Sequence, residues 1–121
     1  MNTALEAARD AFAAIPGVAS CKIGLEANLS PEDYPMIRIV PFRITPGRPY
    51  STRSSETFIY FGVPVANSEG LEAVYASLFD LEAKILEKLK TLQGRYVESI
   101  MDEDRIDTYK LMSIRCFLEG A

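Results

Sequence analysis

Leu71, Val74, Tyr75, Leu78, Leu81, Ile85, Leu89 and Leu92 recur at intervals of three and four residues and stop at Gly94. This spacing lays one apolar stripe along an α-helix, with Asn67 or Ser68 placed to cap its start and Gly94 its end. A stripe roughly six turns long is expected to pack across a sheet. Asp80 with Lys84, and Lys84 with Glu87, decorate the opposite face and contribute a few tenths of a kcal/mol each.

The rest of the chain supplies strands. Thr3 and Glu6 have the form of a capping box, and Leu5, Ala8, Phe12 and Ile15 predict a first helix from about Ala4 to Ala14, stopped by Pro16-Gly17. Alternation then begins: Ala19, Cys21, Ile23 and Leu25 on one side of a half-buried strand, Ser20, Lys22, Gly24 and Glu26 on the other. Asn28 to Pro35 is turn chemistry, and Met36 to Thr45 is a strand in which Pro41 demands an edge, a bulge or an unpaired position. Thr45 to Ser55, with Tyr50 its one apolar residue, predicts a long hairpin loop. Thr57, Ile59, Phe61, Val63 and Val65 oppose Glu56, Phe58, Tyr60 and Gly62, so both faces of the next strand carry large groups. Such a strand lies at the centre of a sheet or under another subunit. After the long helix come Tyr96 to Met101, an acidic turn from Asp102 to Arg105, and a last strand with Met112, Ile114, Cys116 and Leu118 on one face, the two strands forming a hairpin. The expectation is one α+β domain spanning residues 1–121. It has a mostly antiparallel sheet of four or five strands, the first three able to meander, with two helices on one face.

What the chain lacks narrows its function. There is no histidine among its 121 residues, which removes the commonest general base, the commonest metal ligand and every Ser-His or Cys-His nucleophile pair. No dinucleotide fingerprint, phosphate loop or Cys-x-x-Cys pair occurs, so neither an enzyme nor a cofactor is expected. The net charge of −4 offers no overall attraction to nucleic acid. Apolar runs are interrupted by charges well short of the roughly 18–20 residues a bilayer requires, and the acidic N-terminus does not resemble a secretion signal, so no membrane partner is expected. Cys21 and Cys116, each among apolar residues, suit buried thiols in a reducing compartment; a disulfide between them is possible but not implied.

Three groups remain as candidate sites. Asp102, Glu103, Asp104 and Asp107 could bind a divalent cation through oxygen, but without the glycine and spaced glutamate of an EF-hand they suit a solvated turn or an electronegative rim better. Arg38, Arg43, Arg48 and Arg53 recur around the second strand and its loop, where guanidinium groups serve interfaces and phosphates alike. Phe58 and Tyr60 could stack on RNA bases, yet the basic companions are missing and packing against core or subunit is the better reading.

Ser30-Pro31-Glu32-Asp33-Tyr34-Pro35 leads straight into Met36-Ile37-Arg38-Ile39, followed by the long loop, the aromatic strand Phe58 to Val65, the long helix and the acidic hairpin at Asp102 to Asp104. This layout, over nearly the whole chain, resembles the minor tail proteins that terminate tails in long-tailed bacteriophages. The resemblance implies a prophage-type structural subunit that forms a homohexameric ring. The ring would cap the tail tube, contact tube and head-connector proteins, and let DNA pass without specific binding. It also implies residence in the host cytoplasm during assembly and then in the virion tail. On that basis Arg43, Arg48, Tyr50, Arg53, Phe58 and Tyr60 are candidate contacts between subunits, and Asp102, Glu103 and Asp104 candidate residues of the lumen rim. The competing expectation is a small enzyme or ligand-binding module using carboxylates, Tyr or Arg in a pocket between subunits.

Overall fold

The computed structural model describes residues 1–25, 31–47, 51–65, 70–101 and 109–120. Helix α1 (Asn2–Ala13) is followed by β1 (Ser20–Ile23), a single 3-10 turn (Pro31–Asp33), β2 (Met36–Pro46), β3 (Arg53–Pro64), α2 (Gly70–Thr91), β4 (Arg95–Met101) and β5 (Tyr109–Gly120). The five strands form one sheet in the order β1-β2-β3-β5-β4, antiparallel except for the β1–β2 pair. This is the expected α+β architecture with β3 at its centre.

Alternation decides which face is buried. Ile37 and Ile39 on β2, Ile59, Phe61 and Val63 on β3, and Met112, Ile114, Cys116 and Leu118 on β5 share one face. They form a single core with Leu5, Ala8 and Phe12 of α1 and Val74, Leu78, Leu81, Ile85 and Leu89 of α2. The three- and four-residue spacing of α2 is therefore the imprint of the sheet beneath it. At full burial such side chains contribute about 1.5–3 kcal/mol each. Neither described helix is long and apolar enough to cross a membrane.

Several expectations are corrected. The Thr3–Glu6 capping box does not form: the Met1 carbonyl accepts from the Leu5 amide, so the helix starts earlier and Thr3 lies inside it. β1 is short, because Gly24 takes φ +91° and leaves the extended region; Ile23 and Leu25, expected on the buried side, are exposed. The first three strands do not meander: β1 and β2 pair in parallel, which a hairpin cannot join. The loop expected at Thr45–Ser55 is shorter, since the β2–β3 ladder continues to Pro46 opposite Arg53. At the end of α2 the left-handed residue is Gln93 (φ 59°), with the Gly94 amide bonded to the Leu89 carbonyl and the Gln93 amide to that of Lys90, a Schellman arrangement. Gly94 serves a different need, as a Cβ there would strike the Leu89 side chain. The expected cap at Asn67 or Ser68 lies outside the described residues.

Candidate assembly surface

The face of the sheet away from the helices is finished differently at its two ends. Near the start of β2, Tyr34 packs over Gly62 and Met36 is buried. Arg38 is fully buried here, unlike the exposed Arg43 and Arg53 with which its spacing grouped it. Its guanidinium donates to Ser20 Oγ (3.0 Å) and to the Ile37 carbonyl (2.9 Å), and Ser20 Oγ donates to the Asp33 carbonyl (2.8 Å). Arg38 thus ties the crossover segment to the sheet, a structural role that periodicity alone does not reveal.

Toward the far end of β2 this face is open and aromatic. Phe58 and Tyr60 are half-buried and stacked at 6.1 Å, and Phe42 meets Phe58 edge-on at 5.6 Å. Arg43 is exposed and lies 5.4 Å over the Phe42 ring, and Arg95 lies 4.4 Å over Phe117. Among these aromatics the buried Glu56 accepts from Arg115 Nε at 2.7 Å, and Arg115 also reaches Glu98 at 3.8 Å. A carboxylate this enclosed requires its cation, so Arg115 holds β3 and β5 together by charge as well as by the ladder.

Of the residues predicted as subunit contacts, Arg43, Phe58 and Tyr60 therefore share one neighbourhood. Arg53 is exposed at the start of β3, opposite Pro46 and Gly120, at the hairpin end of the sheet. Arg48, Tyr50, Asp102, Glu103 and Asp104 lie outside the described residues.

Of the two sheet edges, sequence reasoning offered the one at Pro41 as an alternative and missed the one at β4. At one, β1 covers only Met36–Ile39 of β2, leaving residues 40–46 without an outer neighbour among the described residues. Phe42 (59% exposed) and Ile44 stand in that stretch, and Phe42 is the bulged residue between Pro41 and Arg43. Ile39 turns its carbonyl outward to accept from the Gly24 amide, so Pro41, two residues on, turns its missing donor outward too and costs the β3 ladder nothing. Of the edge, bulge or unpaired position expected at Pro41, the structure has both the edge and, beside it, the bulge. At the other edge, β4 exposes Tyr96, Val97, Ile100 and Met101 with a bulge at Val97. Two hollows flank it: one of about 360 Å³ against the end of α2, lined by Leu86, Leu89, Gly94 and Tyr96, and one of about 220 Å³ on the opposite face, lined by Tyr60, Ile100 and Leu111.

The thiols are chemically quiet. Burial pushes Cys21 up to about 11, against a smaller lowering by Arg38, and Cys116 up to about 12. Cys21 Sγ donates to the Arg9 carbonyl at 3.5 Å, and both cysteines are free. Among the described residues no three His, Cys, Asp or Glu side chains converge into a metal-holding group. No family model matches the chain, and no curated protein matches it.

Proposed function

We propose that this chain is a structural assembly protein that acts through contacts between copies of itself. More particularly, it acts in the manner of phage tail terminators, as a homohexameric ring that caps the tail tube and offers a surface to the head connector. The observation that carries this reading is where the exposed apolar residues fall. Of the ten exposed large hydrophobic residues described, Ile23, Leu25, Phe42 and Ile44 lie on or beside one sheet edge and Tyr96, Val97, Ile100 and Met101 on the other, while Leu71 and Phe79 lie on α2. Exposed apolar edges in an isolated chain invite aggregation, and closure into a ring removes both at once. The open aromatic neighbourhood of Phe42, Phe58 and Tyr60 adjoins the first of these edges. In this reading Asp102, Glu103 and Asp104 face the lumen, where negative charge repels the DNA that passes through.

Native mass spectrometry and negative-stain microscopy test the proposal. A mass of six chains with ring-shaped particles supports it. A chain that stays monomeric at every concentration, with and without isolated tail tubes, overturns it.

A further inference from the structure

The two exposed edges match each other. β4 is a seven-residue strand, and the stretch 40–46 of β2, uncovered among the described residues, has the same length. The middle residue of the first is Glu98 and of the second Arg43, and both project from the helix-free face, since Glu98 pairs with Arg115, Arg115 with Phe58, and Arg43 with Glu56. From this geometry we infer that β4 of one copy lies against residues 40–46 of the next, antiparallel and head to tail, with Glu98 facing Arg43. This assignment rests on the ring reading above.

Strand directions allow it. β2 and β5 run the same way and β3 and β4 the opposite way. A second copy rotated about an axis slightly inclined to the strands therefore brings its β2 beside β4 antiparallel, with the helix-free faces continuous. Within one copy the row through Glu98 passes Arg115 and Phe58 to Val40, whereas Arg43 sits in the row of Glu56. The join is thus staggered by two residues along β3, an even step that leaves every side chain on its own face. Centred pairing also brings Phe42 and Ile44 beside Val97 and Ser99, next to Tyr96 and Ile100. Pro41 leaves a gap in the backbone ladder on this edge, so the contact relies there on side chains. A two-fold pairing of β4 with β4 is disfavoured by charge, because its centred register sets Glu98 against Glu98.

Charge exchange tests the inference. Arg43→Glu is the primary variant, because Arg43 is exposed and its contact with Phe42 is on the surface. It should raise the concentration at which the assembly dissociates by about tenfold or more, while circular dichroism shows an unchanged fold. Glu98→Arg should do the same, and because Glu98 also meets Arg115 its fold is checked separately. Mixing the two variants should restore assembly to within about threefold of the parent, since in a head-to-tail ring every junction then pairs Arg with Glu. A parent that assembles while Arg43→Glu assembles equally well overturns the edge pairing and leaves the ring standing. Failure of the mixture to recover, with both variants folded, does the same. A parent that never assembles removes the ring itself, and this inference with it.

Discussion

Gly62→Ala tests how the helix-free face is packed. Gly62 sits in the central strand with ordinary extended backbone, where an alanine would stabilise by about 0.4–1 kcal/mol through the unfolded chain if space allowed. Space does not allow it: a Cβ at Gly62 would lie 2.5 Å from Leu111 Cδ2, 3.0 Å from the Lys110 carbonyl oxygen and 3.0 Å from Tyr34 Cε1. Leu111 is half-buried and can swing aside, but the Lys110 carbonyl belongs to the β3–β5 pairing and Tyr34 is buried. Overpacking costs about 1–3 kcal/mol, so after the entropic gain the net loss is about 1–2 kcal/mol, or a fall in Tm of about 4–10 °C. Urea unfolding followed by circular dichroism at fixed protein concentration should show a lower midpoint at unchanged slope. In a Tyr34→Ala background the cost should shrink by about 0.5 kcal/mol or more. A Gly62→Ala protein as stable as the parent, or a cost indifferent to Tyr34, refutes the packing argument.

Arg115→Leu should destabilise by about 2–4 kcal/mol in the same assay, because it strands the buried Glu56 carboxylate, and Glu56→Leu in the same chain should recover much of that loss. If the single variant is as stable as the parent, the Glu56 contact has no structural weight. The thiols should resist Ellman's reagent at pH 8: Cys21, raised from 9.0 to about 11, holds roughly a hundredfold less thiolate than a free cysteine there, and labelling at the free-thiol rate in the native protein would contradict this. Cys116 keeps its proton in the folded state while the unfolded chain ionises above about pH 9. Its contribution is therefore complete at neutral pH and is lost as pH rises toward about 12. A parent whose unfolding midpoint does not fall between pH 9 and pH 11 would refute that linkage.

Much of the scaffold is legible in the chain because helix and strand periodicities are local. The spacing from Val74 to Leu89 and the alternation from Ile59 to Val63 and from Met112 to Leu118 each mark a core-facing side, and the structure places all three in one core. Pro41 likewise announced an edge, a bulge or an unpaired position, and it lies on an edge beside a bulge. Arg38 and Arg43 show where such reading stops: five residues apart on one strand, one is sealed beneath the crossover and the other is exposed, because β1 covers only the first four residues of β2.

The order of residues by itself determined the element types and most of the buried faces, since each follows from neighbours within a few positions. Tertiary structure alone decided that β1 runs parallel to β2, that β5 inserts between β3 and β4, and hence that Tyr96 to Met101 forms an outer edge. Strand order is a choice among non-local pairings, made by the free energy of closing loops and covering the whole stripe of α2, and no local period encodes it.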